Sequence, residues 1–181
     1  MNAQDIEIIK ENIRSIPNFP KEGILFRDVT TLMNNSEAFK LSLALLASYL
    51  KNDSVDYIAG IESRGFIFGA PLAQMLGVGF VPIRKKGKLP CEVHQVEYEL
   101  EYGTDILEID RDFDAASKKI VLIDDLLATG GTVVAATKLI RMCKGEVLKA
   151  LFVVDLPELG ASKKLNEHNI PYNSLISYEG H

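Results

Sequence analysis

Apolar positions along the chain mark out its elements before any motif is considered. Ile6, Ile9, Ile13 and Ile16 recur at helical spacing, which predicts an opening amphipathic helix that stops before Pro17. Residues 17–26 read as a loop. Asn34, with Glu37 three residues later, has the form of a capping box and opens a helix to about Leu50. From there short apolar runs alternate with helical stretches. The runs lie at residues 57–61, 78–83, 120–123 and 146–154. A helix reaches about Leu76, with Pro71 as an expected irregularity, and another starts near Thr132. Runs buried on both faces and separated by helices predict an α/β fold, a mainly parallel central sheet flanked by helices.

One segment departs from this rhythm. Val96, Tyr98, Leu100 and Tyr102 alternate with Glu97, Glu99 and Glu101, and Gly103-Thr104 turns the chain toward Ile106–Ile109. A period of two predicts an antiparallel hairpin, here over residues 93–110, expected as a flap outside the parallel sheet.

Composition narrows the class. At roughly 100–200 residues per domain, 181 residues make one domain, residues 1–181. Lys+Arg 20 against Asp+Glu 25 leaves a net charge of −5, which argues against a duplex nucleic-acid partner. Cys91 and Cys143 stand far apart without a CxxC, the usage of a reduced intracellular protein. His94, His168 and His181 form no metal-binding pair. The N-terminal stretch is charged and lacks an apolar signal core, and residues 41–50 are too short to span a bilayer, so no membrane partner and a cytoplasmic location are expected.

Candidate chemistry collects at the strand ends, where open α/β sheets bind ligands. Three of the runs lead into unusual loops: Glu62-Ser63-Arg64-Gly65, Arg84-Lys85-Lys86-Gly87-Lys88, and Asp124-Asp125 followed by Ala128-Thr129-Gly130-Gly131-Thr132. A parallel sheet brings all three to one edge. Successive N–H groups at a helix start, with glycines allowing close approach and threonine hydroxyls beside them, make a phosphate cradle. The lysine of a P-loop is missing, which suits a terminal monophosphate better than a triphosphate. Asp124 and Asp125 can accept from a vicinal diol, although both reach one ligand only if the strand has begun to turn. Arg64 and the Arg84–Lys88 cluster are cationic partners for a more highly charged group. Glu62 either coordinates or orients, or only caps the following helix. Phe26 beside Arg27 and Asp28 can stack on a heterocycle, with core packing as the alternative. By pattern alone Glu101 belongs with Glu97 and Glu99 to the wet face of the hairpin. Leu127, Val133 and Val134 read as core.

Taken in order, these motifs resemble a known family. An apolar run followed by DDxxATGGT stands at residues 121–132. Ahead of it come Phe19-Pro20, Gly23-Ile24-Leu25-Phe26-Arg27-Asp28, Ser63-Arg64-Gly65-Phe66, residues 83–90 (IRKKGKLP) and Leu100-Glu101-Tyr102-Gly103. The set resembles the type I phosphoribosyltransferases, specifically their adenine branch, over about residues 13–154; beyond Asp155 nothing is diagnostic. The resemblance implies transfer of a 5-phosphoribosyl group from phosphoribosyl pyrophosphate to adenine, giving AMP and pyrophosphate with Mg²⁺ carried by the substrate. It implies Asp124 and Asp125 at the ribose hydroxyls, residues 128–132 at the 5′-phosphate, and residues 62–65 at the pyrophosphate with Arg64 acting in catalysis. It further implies a base-binding hood within residues 1–35, where Phe26 stacks on adenine and Leu25 (through its backbone) and Arg27 read its edge. Glu101, beside Tyr102 on the flap, is implied as general acid/base or electrostatic stabiliser. A homodimer is implied, with Arg84, Lys85 and Lys88 reaching pyrophosphate from the neighbouring subunit. The stretch 91–95, including Cys91 and His94, is less typical of the family. The alternative from another class is a non-catalytic sensor of phosphoribosyl pyrophosphate on the same fold; such regulators usually add a DNA-binding module, for which this chain has no spare length or basic arm.

Overall fold

Helix α1 (Ala3–Glu11) opens a computed structural model that describes residues 3–99 and 103–179. The helix ends short of Ile13 and Ile16, against the expectation from isoleucine spacing. Thr31 diverts the chain: its hydroxyl donates to the Asn12 carbonyl at 2.6 Å and accepts from the Arg14 N–H at 3.1 Å. Residues 14–17 instead form strand β1 (Arg14–Pro17), paired antiparallel with β2 (Leu25–Asp28) in a separate two-stranded ribbon. Helices α2 (Thr30–Asn34) and α3 (Ser36–Ser48) follow. The cap of α3 is Asn35, one residue later than the sequence suggests. Its side chain accepts from the Glu37 and Ala38 N–H groups at 3.1 Å each, so Glu37 contributes its backbone.

The alternating units come next: β3 (Tyr57–Ile61), α4 (Arg64–Leu76), β4 (Gly79–Lys85), β5 (Val93–Glu99), β6 (Thr104–Asp110), β7 (Lys119–Leu127), α5 (Gly131–Met142), β8 (Glu146–Asp155), α6 (Ala161–Glu167) and β9 (Tyr172–Ser177). Helix α4 runs through Pro71 and stops at Gly77, which takes the left-handed conformation of a C-cap. The main sheet has the order β5-β6-β4-β3-β7-β8-β9, and its five strands from β4 to β9 are parallel. The expected α/β architecture is therefore present. The hairpin β5–β6 is not outside this sheet, as anticipated, but extends it: Arg84 and Lys85 of β4 pair antiparallel with Glu108 and Leu107 of β6. Leu107 and Ile109 are fully buried, which explains why that edge stays attached.

Strand β7 shows why its run is continuously apolar. Ile120 and Leu122 belong to one core, with Ile83, Leu139 and Ile140, while Val121 and Ile123 belong to the other, with Phe68, Leu72 and Leu151. Because β4, β3 and β7 are neighbours in register (Ile61 beside Ile83, Gly60 beside Ile123), their carboxyl ends finish at one edge.

Candidate active site

The loops after β3, β4 and β7 meet in a cleft of about 230 Å³. Glu62, Ser63 and Arg64 come from the first loop, Lys85 from the end of β4, and Asp124, Asp125 and Thr132 from β7 and the start of α5. Close packing holds the first loop against β7. A Cβ on Gly65 would stand 2.7 Å from the Ile123 carbonyl oxygen and 3.2 Å from Asp124 Oδ1, so only glycine fits. The Arg64 guanidinium forms an ion pair with Asp125, whose side chain is 6% exposed. The Asp125 N–H donates to Asp124 Oδ1 at 2.9 Å. Both acids border the same cleft, although β7 continues to Leu127. Desolvation, followed by the neighbouring charge of Asp125, pushes the Asp124 carboxyl well above the usual range. A cationic ligand group or metal in the cleft opposes both effects.

Glu62 is an orienting residue here. Its carboxylate accepts from Arg84 Nε at 3.0 Å, Arg84 Nη2 at 3.3 Å and the Lys85 N–H at 2.9 Å. The Arg84 hydrogen bond is the main reason its pKa falls below the ordinary carboxylate value. Neither Arg84 nor Lys88, whose carbonyl accepts from Arg84 Nη1 at 3.4 Å, lines the cleft. Lys85 reaches the cleft of its own chain and pairs with Asp105 of β6 at 3.2 Å.

A second cavity of about 320 Å³ adjoins the first, sharing Asp124 and Thr132 and adding Ala128, Thr129 and Gly130. Gly130 has φ +78° and caps the N-terminus of α5, so the turn aims backbone N–H groups and the positive end of the helix at this space. Leu165 and Ala161 of α6 lie directly behind Gly130. Gly131 lies under the hairpin, where a Cβ would stand 2.8 Å from the Glu99 carbonyl. Leu127, Val133 and Val134 are buried, in the core positions expected for them.

The ribbon β1–β2 carries the other candidates. Phe26 is half-buried and packs edge-to-face on Phe19, with ring centroids 5.2 Å apart, rather than in the core. The pleat puts Asp28 on the same side as Phe26 and turns Leu25 and Arg27 to the other. Asp28 accepts from the Thr30 N–H at 2.9 Å and pairs with Arg14 at 2.6 Å; hydrogen bonding with Thr30 leads in lowering its pKa to about 2. Its charge also acts on Arg64, which brings the ribbon within electrostatic reach of the cleft. Leu25, Phe26 and Arg27 border neither cavity. Glu101 and Tyr102 lie outside the described residues.

Three contributors were not anticipated. Tyr98 closes one side of the cleft, while Phe152 and Leu159 floor the second cavity. Tyr98 stands in the alternating run that marks the hairpin; Phe152 is indistinguishable from its apolar neighbours in β8.

The family model for the phosphoribosyl transferase domain matches residues 28–174, a span that holds both cavities. The chain belongs to the phosphoribosyltransferase family. Its similarity to individual members of this enzyme family extends over nearly the whole chain. An adenine phosphoribosyltransferase of Yersinia pestis (strain Pestoides F) is 51% identical over 179 residues, covering 99% of this chain and 96% of the relative. The crystal structure of adenine phosphoribosyltransferase from Thermoanaerobacter pseudethanolicus superposes with a TM-score of 0.91 at 49% identity, covering 96% of this chain and 99% of that one. The Saccharomyces cerevisiae adenine phosphoribosyltransferase, solved with an imino-altritol bisphosphate and adenine, gives a TM-score of 0.89 at 39% identity, covering 97% and 100%. In this phosphoribosyltransferase Asp124 and Thr132, from the segment 121–132, form the wall common to both cavities.

Proposed function

We propose that this phosphoribosyltransferase transfers the 5-phosphoribosyl group of 5-phospho-α-D-ribose 1-diphosphate to adenine, forming AMP and pyrophosphate in purine salvage. One observation supports the transfer: a glycine turn at a helix N-terminus and a cleft carrying Arg64 and Lys85 share Asp124 and Thr132 as a common wall. The full-length adenine-specific relatives direct the choice of base.

In this reading the 5′-phosphate lies against Ala128, Thr129, Gly130, Gly131 and Thr132 at the N-terminus of α5. The ribose hydroxyls face Asp124 and Asp125. The diphosphate occupies the turn Glu62-Ser63-Arg64-Gly65. Arg64 exchanges Asp125 for a diphosphate oxygen, and Lys85 adds its charge from β4. Arg84 and Lys88 contribute field from behind, since Glu62 holds Arg84. The leaving group gains negative charge as positive charge grows on the anomeric carbon, so fixed cations at the turn favour the transition state over the ground state. Phe26 stacks on adenine, and the Leu25 backbone with Arg27 reads its edge. Glu101 and Tyr102 approach the base from the tip of the hairpin, Glu101 as general acid/base. Residues 93–110 serve as a flap that excludes water, which would otherwise consume the activated sugar.

Mg²⁺ is the cofactor we assign. The hard oxygens of Asp124 and Asp125 beside the proposed diphosphate turn suit it, and the substrate would carry it there. When bound with the diphosphate, the metal neutralises charge on the leaving group. The protein is read as a cytoplasmic homodimer with no nucleic-acid or membrane partner. Exposed Ile67 and Met75 on α4 support a second copy, and no helix among the described residues is long and apolar enough to cross a membrane.

The test is base competition. Purified protein with phosphoribosyl pyrophosphate and Mg²⁺ is expected to form AMP from adenine and far less product from hypoxanthine or guanine. Equal use of a 6-oxopurine refutes the assignment of the base, and binding without turnover restores the sensor reading.

A further inference from the structure

The ribbon β1–β2 has two strands of four residues each and joins no other sheet. A two-stranded ribbon is marginal on its own, so whatever ties it to the body of the protein determines where Phe26 and the Leu25 backbone stand. Two ties are visible on β2. Asp28 is held by Arg14 and Thr30, but these lie in the same N-terminal region. The other tie reaches across the molecule. The Arg27 guanidinium carbon stands 3.9 Å from the ring centroid of Tyr178, and Arg27 Nη1 donates to Ser15 Oγ at 2.5 Å. Tyr178 follows β9 and is itself fixed: its N–H donates to the Asp155 carbonyl at 3.1 Å, at the carboxyl end of β8. Asp155 in turn pairs with Leu127, two residues beyond Asp125 on β7. One short path therefore runs from the acidic pair through the ends of β7 and β8 to Tyr178 and then to Arg27.

We propose that Tyr178 is a positioning residue for base recognition: stacking Arg27 on its ring sets the base-reading ribbon relative to the sugar-binding edge of the sheet. The role belongs to the ring. A planar guanidinium lies flat on an aromatic face, and the attraction strengthens where water is partly excluded, as at these half-buried residues. Beside the part in base reading proposed for it, Arg27 thereby also locks β2 in place, because its guanidinium is engaged with Ser15 and Tyr178. The face bearing Phe26 and Asp28 is left directed away from that contact.

This inference rests on the reading that the ribbon binds adenine, and the test separates the two. Steady-state kinetics are measured for Y178L, Y178F, R27M, Y178L/R27M and F26A, with each substrate varied in turn. From the usual strength of such a stack, Y178L is expected to raise KM for adenine roughly three- to tenfold. KM for phosphoribosyl pyrophosphate should stay within twofold, because residues 124–132 are untouched. Y178F keeps the ring and is expected to restore most of the adenine KM. In the double variant the two substitutions should not add, since both remove one contact. Additive effects, an equal rise in both KM values, or failure of Y178F to rescue would each overturn the role of Tyr178. If F26A leaves the adenine KM unchanged, the ribbon is not the base site and the underlying reading fails instead.

Discussion

Gly65→Ala tests whether the spacing of the turn at residues 62–65, proposed to hold the diphosphate, is set by backbone contact with β7. The added methyl carbon would lie 2.7 Å from the Ile123 carbonyl oxygen, about 0.7 Å inside ordinary contact, and 3.4 Å from Asp124 Cα. These atoms belong to a central strand and cannot swing aside as a side chain would. Two effects oppose each other. Alanine in place of glycine in the first turn of α4 favours the helix by up to about 1 kcal/mol. Overpacking against rigid backbone costs about 1–3 kcal/mol. The clash wins by roughly 1 kcal/mol, which for a chain of this size lowers Tm by about 2–4 °C. The larger effect is on geometry, because relief requires residues 62–65 to withdraw from Asp124 and Asp125. Displacements approaching 1 Å in a site that aligns reacting groups cost roughly ten- to a hundredfold in rate. The expected result is a fall of that size in kcat/KM for phosphoribosyl pyrophosphate, with a small drop in Tm. Initial rates at saturating adenine and a thermal melt followed by circular dichroism give both numbers. A lower Tm with kcat/KM within twofold of the parent would refute the reasoning, because Gly65 would then matter to packing and not to the turn.

Two more outcomes follow from the site and its surroundings. Asp28, depressed to about 2 by Thr30 and Arg14, contributes stability that is present above its unfolded pKa and is lost as pH falls from about 4 toward 2; its worth is on the order of 2 kcal/mol. Asp28→Asn should remove that part of the acid sensitivity, and identical acid-unfolding profiles for the two proteins would contradict it. The pair Asp124→Asn and Asp125→Asn is expected to raise KM for phosphoribosyl pyrophosphate and lower kcat, while near-normal kinetics would take both acids out of the site.

Tyr57–Ile61 was readable from the chain because a strand buried on both faces leaves an unbroken apolar run, bounded here by a polar turn. The glycine turn and the acidic pair were equally legible as candidates, since phosphate and diol chemistry would use those residue types in that order, and both border the cavities. Other features were decided by contacts that local pattern does not carry. Ile13 keeps helical spacing with Ile9 and is buried, yet Thr31, far along the chain, pulls its neighbours into a strand. Asn34 and Asn35 are chemically alike as caps, and only the backbone conformation at Asn35 selects one. Glu62 had two open roles until Arg84 was found gripping it from β4. Tyr178 lies in a stretch without any motif, and its partner Arg27 stands at the other end of the sequence.

The support of Gly130 by Leu165 and Ala161 has a consequence for how the enzyme is made. A nascent chain that has emerged only to about residue 155 already displays every recognisable motif. It lacks the wall behind the glycine turn and the aromatic ring beneath Arg27. Synthesis proceeds from the N-terminus, so the glycine turn gains its backing, and Arg27 its ring, only after the motifs themselves have emerged.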